Sequence, residues 1–234
     1  MRYIILIIFS MCFIPNSQAQ LYEAGVFLGG SNFIGDIGST TYISPQKPAL
    51  GLMLKWNRSK RHSFRGSIIF TDLVGFDEDS SDPRRIERDY DFKNSIVEFS
   101  AGMEFTFLDF DLDSTDPQMT PYLYTGISTA KHNNSFFRNG IQISENTSSW
   151  AIGIPMVAGF KTTISDVFIL AAEIGVRYTF SDEIDGSVPG KFTPSGVPGE
   201  PSSIVPFGNL NSNDWYVFSG ITLTYTFGQK PCCY

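Results

Sequence analysis

The chain has little cysteine and histidine and, after its first residues, no long apolar run. Only three of its 234 residues are cysteine and two are histidine. Cys232 and Cys233 stand near the end of the sequence, so no disulfide framework replaces a hydrophobic core. After residue 20 no apolar run is long enough to cross a membrane as a helix. The net charge of −7 argues against a nucleic-acid partner.

Motifs for cofactor and metal chemistry are also missing from the sequence. It contains no phosphate-binding glycine loop, no paired-cysteine zinc motif and no nucleophile elbow. The sequence therefore predicts no cofactor, no metal site and no catalytic residue.

The N-terminal residues have the pattern of a secretory signal peptide. A basic start precedes the apolar run Tyr3–Ile14, and small residues, Ser17 and Ala19, occupy the −3 and −1 positions of a cleavage site before Gln20. We expect residues 1–19 to be removed. The rest, 20–234, is predicted to form one domain with a short tail at 228–234.

The most regular stretch is 214–227, in which side chains alternate between two classes. Such a period of two predicts a β-strand with two different faces. An apolar face with aromatics near both ends is typical of a strand that crosses a bilayer. The apolar face contains Trp215, Val217, Ile221, Leu223, Tyr225 and Phe227, and the small or polar face contains Tyr216, Gly220, Thr222, Thr224 and Thr226.

Similar alternation predicts seven more strands. The connections after strands one, three, five and seven are long and the others are shorter, as in outer-membrane barrels with external loops and periplasmic turns. The fold class predicted is all-β: a small antiparallel transmembrane β-barrel with OmpX/OmpA-like architecture and both termini in the periplasm. A soluble sandwich or lipocalin, with the faces inverted, remains an alternative. The predicted strands are 22–29, 48–56, 63–74, 94–107, 121–130, 150–161, 167–180 and 214–227.

Three connections and one proline add detail to this prediction. Residues 75–92 and 131–148 are predicted to be loops, and 181–213 the longest loop. Pro155 in the sixth strand predicts an edge position or a bulge.

Charged residues occupy the non-apolar face of the predicted strands. An eight-stranded barrel is just wide enough for side chains to fill, and buried charges are tolerated when they pair. We therefore expect a structural plug of ion pairs, with an ion or proton pathway as the alternative. The predicted lumen charge network consists of Glu23, Lys55, Arg65, Glu98, Glu104, Lys161, Glu173 and Arg177.

Two histidines and one acidic group are candidates for catalysis or metal binding. His62 belongs to the basic turn 57–62, where a solvated residue is expected. His132 has serines nearby but no carboxylate close in sequence, so a triad would have to assemble in space. The acidic group at 182–185 resembles a calcium cluster but lacks the EF-hand spacing, so a solvated loop is expected.

Several segments together resemble PorG, a family of small outer-membrane barrels of the type IX secretion system in Bacteroidota. They are YEAGVFLGGSNFIGDIG at 22–38, KWNRSKRHS at 55–63, TPYLYTGI at 120–127, IPMVAGFK at 154–161, RYTFSDEIDGS at 177–187, and FGNLNSNDWYVFSGITLTYTFGQKPCCY at 207–234. The resemblance spans almost all of the chain after residue 20.

The resemblance implies a role in protein export and, in some members, in gliding motility. PorG-like proteins associate with a periplasmic ring of the lipoprotein PorK and its partner PorN, so partners of these two kinds and outer-membrane lipid are expected. The family brings no catalytic residues. From topology alone, we expect the partner contact at the periplasmic surfaces, with Arg58, Lys60, Arg61, Cys232 and Cys233 as candidates.

Two other functions remain open at this stage. A generic OmpX-like barrel would use its external loops for adhesion or structure and would form no stable periplasmic complex. A lipid-modifying barrel enzyme would depend on a residue such as His132.

Overall fold

The protein forms eight β-strands that close into a single ring. The computed structural model describes residues 21–39, 41–114, 116–138, 140–187, 207, 209 and 212–228. The predicted signal peptide and most of the tail, including Cys232 and Cys233, lie outside these residues. The strands are β1 (Leu21–Ile34), β2 (Lys47–Asn57), β3 (His62–Phe76), β4 (Asp91–Thr106), β5 (Met119–Arg138), β6 (Ile141–Thr163), β7 (Phe168–Thr179) and β8 (Trp215–Gly228).

Every strand pairs antiparallel with its sequence neighbours, and β1 closes the ring on β8. The closing register pairs Leu21 with Gly228 and Ile34 with Trp215. Closure leaves the ring without a free edge, so each strand can satisfy its backbone polar groups through two neighbours. Among the described residues, no helix is long and apolar enough to cross a membrane.

The distribution of side chains is the reverse of that in a soluble protein. Large apolar side chains on alternate strand positions are exposed on the outside, such as Leu54 (64%), Ile127 (69%) and Ile152 (57%). The intervening positions point inward and carry the buried polar and charged residues. An apolar exterior around a polar interior is the pattern of a transmembrane barrel, so the soluble sandwich and lipocalin alternatives are wrong.

Aromatic side chains cluster near both ends of this apolar belt. At the end with the β2–β3, β4–β5 and β6–β7 connections, called the short-turn end, Tyr22 stacks on Phe227 with ring centroids 5.9 Å apart. At the opposite, long-loop end, the ring centroids of Tyr178 and Trp215 are 4.7 Å apart. Aromatic girdles of this kind occupy the two membrane–water interfaces of outer-membrane barrels. The protein is therefore a transmembrane β-barrel of the outer-membrane type.

The prediction of a loop at 131–148 was wrong. Strands β5 and β6 continue through most of this region as a hairpin that extends past the apolar belt. Its pairing shifts between Asn133 and Ser135, and Asn146 opposite has a positive φ of 55°. A bulge of this type bends the hairpin and interrupts its ladder.

The predicted loop at 75–92 contains ordered structure. A 3-10 turn (Asp77–Asp79) precedes a short helix, α1 (Pro83–Arg88). The Asp82 side chain caps α1 by accepting a hydrogen bond from the Arg84 N–H, and Pro83 fills the first helical position. The helix ends at Asp89, which adopts the left-handed conformation.

Pro155 lies inside β6 and not at an edge. It pairs with Arg177 of β7, and the β5 pairing keeps the same register on both sides of it, from Thr125↔Met156 to Ser128↔Gly153. The predicted edge or bulge at this proline was therefore wrong. Since proline has no N–H to donate, the pairing with β5 is interrupted between Thr125↔Met156 and Ser128↔Gly153, but the register is the same on both sides of the interruption.

Apolar residues fill the interior toward the long-loop end. Phe33 and Phe92 meet edge to face at 4.7 Å, and Ile37 and Ile184 from two different connections are fully buried beside them. The apolar cluster supports the ordered connections at the long-loop end. The buried charged residues lie between this cluster and the short-turn end.

Candidate functional site

The predicted lumen charge network lies inside the barrel. All eight of its residues are buried, and the most exposed of them, Glu173, is only 5% accessible. Each stands at an inward position of a strand, which explains why alternation alone could identify them.

The group nearest the short-turn end is centred on Glu104. Its two carboxylate oxygens contact the Lys55 Nζ at 2.9 Å and the Lys161 Nζ at 2.8 Å. Lys55 also lies 3.9 Å from Glu23, which accepts hydrogen bonds from Asn57 and Thr224. Each of these buried charges therefore has a partner of opposite sign.

A second group crosses the barrel between Arg65 and Glu173. The guanidinium donates two hydrogen bonds to the carboxylate, at 2.7 and 2.8 Å. The Tyr122 hydroxyl donates a third at 2.5 Å, and the Arg65 guanidinium lies 4.8 Å from the centre of the Tyr124 ring. Bidentate arginine–carboxylate geometry is the strongest form of such a pair.

A third group, closer to the long-loop end, contains Glu98 and Arg177. The Arg177 Nε lies 3.3 Å from the Glu98 Oε1, and the Tyr216 hydroxyl donates to Oε2 at 2.6 Å. The Arg177 guanidinium also donates to the Gly175 carbonyl and stacks 4.3 Å above Phe218. Sequence reasoning did not identify the tyrosines Tyr122 and Tyr216 as partners, although their inward positions were readable from the alternation.

The network contains as many carboxylates as cations, and side chains fill the barrel around it. Phe110, from the connection after β4, is 5% exposed and closes the short-turn end, with the Lys161 Nζ 4.5 Å from its ring centre. A balanced and packed set of ion pairs is the arrangement of a plug. The geometry therefore favours the structural interpretation of the lumen charges over an ion pathway.

The basic turn at the short-turn end is docked against an acidic connection. Lys60 pairs with Asp111 at 2.7 Å and Arg61 with Asp109 at 2.5 Å. The hydrogen bond from Lys60 lowers the pKa of the Asp111 carboxyl. Backbone N–H groups of Thr106 and Phe110 donate to the carbonyls of Arg61 and Lys60, respectively, so the turn and the connection form one surface.

The surface around the predicted contact residues is therefore mixed in charge and not basic. Arg58 lies in the same turn and is exposed, and the acidic residues Asp113 and Asp116 are exposed on the neighbouring connection. Cys232 and Cys233 lie outside the described residues, so this surface contains three of the five candidates.

Neither histidine has the surroundings of a catalyst. His62 is exposed, and its Nδ1 lies 3.3 Å from the Ser59 hydroxyl. His132 is buried, its Nδ1 lies 3.4 Å from the Asn133 carbonyl, and its Nε2 has no hydrogen-bond partner in the described part of the chain. A triad around His132 would need a serine and a carboxylate in hydrogen-bond contact with its ring, and the ring makes neither contact.

The acidic residues after β7 are not a solvated loop as predicted. Asp185 is fully buried, and Asp182 and Glu183 are partly buried. Within the described ranges, no group of three or more histidine, cysteine or acidic side chains is arranged to hold a metal ion.

Comparison with known proteins gives one family match. A family model described as "Domain of unknown function (DUF6089)" matches residues 2–234. A comparison with curated proteins gives no match.

Solved structures of small outer-membrane proteins resemble the chain only at low identity. The N-terminal β-barrel domain of Pseudomonas aeruginosa OprF has a TM-score of 0.45 and 10% identity, with 90% of this chain and 98% of that chain covered. Ail of Yersinia pestis gives 0.44 and 11%, with 90% and 100% covered. Neisserial surface protein A gives 0.45 and 11%, with 90% and 98% covered.

Proposed function

Because the chain belongs to the DUF6089 family, whose description assigns no activity, we propose its function from its own surfaces and from its resemblance to PorG-like proteins. The protein is a non-enzymatic outer-membrane component of the type IX secretion machinery. In some PorG-like members, this machinery also supports gliding. It anchors or positions a periplasmic ring of PorK-like and PorN-like proteins.

The observation that carries the proposal is the surface at the short-turn end. Turn 58–61 and residues 106–111 are fixed to each other by two ion pairs and by backbone hydrogen bonds. With the termini in the periplasm, this surface faces the space in which the ring would assemble. A rigid, mixed-charge surface loses little conformational entropy on binding, which suits an anchoring role.

The filled lumen supports the same role. Ion pairs and aromatic side chains occupy the barrel interior, so the proposal requires no transport through this chain. The surroundings of His132 give no support to a lipid-modifying enzyme.

A second function is favoured by the β5–β6 hairpin. It extends beyond the apolar belt and carries polar residues such as Ser144, Thr147 and Ser148. A barrel that presents such a hairpin outside the cell would act in adhesion, without a stable periplasmic complex.

Affinity purification from native membranes tests the two functions. The chain is tagged after Tyr234 and extracted in mild detergent, and co-purifying proteins are identified. Lys60→Glu/Arg61→Glu is compared with Arg84→Glu/Arg85→Glu, which makes the same charge change at the long-loop end. We expect PorK-like and PorN-like proteins with the wild type and the second variant, and their loss with the first.

Two controls make the result interpretable. All variants must keep the heat-dependent gel mobility of a folded barrel. A wild-type barrel that purifies without ring proteins in several detergents would contradict the secretion role. Loss of cell adhesion on deletion of residues 139–149, with secretion intact, would support the second function instead.

A further inference from the structure

Four aspartates from two connections meet at the long-loop end. Asp36 comes from the connection after β1, and Asp182, Asp185 and Asp214 come from the connection between β7 and β8. Asp185 and Asp214 are fully buried, and Asp36 is 6% exposed. We call these four residues the carboxyl latch.

The latch joins the two connections through hydrogen bonds from backbone N–H groups. The Asp36 N–H donates to the Asp185 carboxylate at 3.1 Å, and the Asn209 N–H donates to the Asp36 carboxylate at 3.0 Å. Within the second connection, the Ile184 N–H donates to Asp214 at 2.9 Å. The position of the bonded residues in each connection therefore depends on the protonation state of these carboxyl groups.

No cation neutralises these carboxylates through an ion pair within the described residues. Arg88 approaches from α1, but its guanidinium pairs with Asp77 and reaches only the backbone carbonyl of Asp36. Glu183 and, from the β5–β6 hairpin, Glu145 add negative charge nearby. With every carboxyl ionised, the latch would hold four like charges in a largely buried space.

One atom indicates how the charge is relieved. The Asp214 Oδ1 is buried and has no hydrogen-bond partner among the residues that the structure describes, although an ionised oxygen in that position would strongly require one. Protonation removes the charge, and an uncharged carboxyl oxygen without a partner costs less to bury than an ionised one. A proton is therefore the ligand to consider at this site.

We propose that the carboxyl latch is a proton-operated device that holds residues 35–38, after β1, against residues 181–187, after β7, in mildly acidic medium and releases them as the medium becomes alkaline. The protons reside on Asp182 and on the Asp185–Asp214 pair. Their loss adds negative charge between the two connections, and the repulsion separates them.

The direction of the pH dependence follows from the environment of these groups. Burial, reinforced by neighbouring carboxylates, raises the pKa of Asp182 to about 7 and raises the pKa of both Asp185 and Asp214. A carboxyl whose pKa is raised in the closed form stabilises that form at low pH, and the contribution is lost as the pH rises through the raised pKa. Closure is thus favoured near pH 5.5 and weakened above about pH 7.

Hydrogen exchange on the full-length barrel in detergent micelles tests this proposal. Amide protection of the segment 180–187 is measured between pH 5.5 and 8.5 and corrected for intrinsic exchange rates. We expect the opening constant to rise by up to about tenfold per pH unit for each proton released. Protection of the membrane segment 97–105 should stay constant and serves as the internal control.

Neutral substitutions distinguish the latch from general loosening. Asp182→Asn/Asp214→Asn mimics the protonated form, so we expect protection at pH 8.5 close to the wild-type value at pH 5.5. Asp113→Asn/Asp116→Asn, at the other end of the barrel, should leave the pH dependence unchanged. Should the double latch variant not fold, Asp182→Asn alone must reduce the slope.

Three results would overturn the proposal. They are wild-type protection that does not change with pH, a slope that persists in the latch variants, and loss of protection on adding EDTA at fixed pH. The last would identify a metal ion in place of the proton.

Discussion

Replacing Glu104 by glutamine gives the sharpest test of the lumen network. Glu104 contacts Lys161 at 2.8 Å, and both side chains are almost completely buried, at 0% and 1% exposure. The substitution keeps the shape but leaves Lys55 and Lys161 facing a neutral amide inside the barrel. Removing one partner of a buried ion pair costs about 3–5 kcal/mol, and we expect a loss of that size in the free energy of unfolding.

The molecule contains a matched control. Lys60 and Asp111 are 2.7 Å apart, but their side chains are 61% and 31% exposed. An exposed pair contributes only about 0.2–1 kcal/mol, so Asp111→Asn should have little effect. The two variants break pairs of nearly equal length, and they differ in burial and in the second lysine that Glu104 contacts.

Equilibrium unfolding in guanidinium, followed by tryptophan fluorescence of the barrel in lipid vesicles, measures both effects. The midpoint should fall for Glu104→Gln at an unchanged slope. Adding Lys161→Met restores the balance of lumen charges and should recover most of the loss, because an apolar replacement of a buried pair is often neutral. A loss for Glu104→Gln no larger than that for Asp111→Asn would refute the reasoning and indicate a hydrated lumen.

Three further substitutions probe the long-loop end, the packing and the membrane surface. Arg88→Ala removes charge-assisted hydrogen bonds to Asp77, and we expect faster proteolysis of the long connections with the barrel's unfolding midpoint little changed. Gly159→Ala places a methyl group where the Tyr122 ring lies 2.5 Å away, so unfolding experiments should show a loss of about 1–3 kcal/mol. Leu52→Arg puts a charge on the exposed apolar belt and should cost up to about 2–4 kcal/mol in vesicle unfolding, whereas Leu52→Ile should cost much less.

The sequence predicted those strands whose two faces meet different surroundings. In the segment 221–227 exposed and buried positions alternate, so one face contacts lipid and the other the lumen, and the side chains differ accordingly. The hairpin at 131–148 lies beyond the belt, where water can reach both faces. Serine, threonine and asparagine then occupy successive positions, and the period of two that reveals a strand disappears.

The helix α1 was missed for a different reason. Dense charge and proline argued for a loop, yet Asp82 followed by Pro83 is the pattern of a helix N-terminus. Six residues are too few for an apolar period, so only the cap could have revealed it.

The membership of the lumen network was predictable, but its pairing was not. Alternation places a residue inside, whereas the partner depends on strand tilt and register across the ring. Arg65 and Glu173 are separated by 108 positions in the chain, and nothing local to either residue specifies the other.

The pairing has a mechanical consequence. Arg65 on β3 is joined to Glu173 on β7, and Glu98 on β4 to Tyr216 on β8. In a ring of eight strands, each pair joins opposite walls. The two side-chain contacts therefore cross the lumen along two different diameters. A ring braced in this way resists being flattened to an ellipse when it is pulled or squeezed from the side, and a load applied at one face is carried by the whole wall.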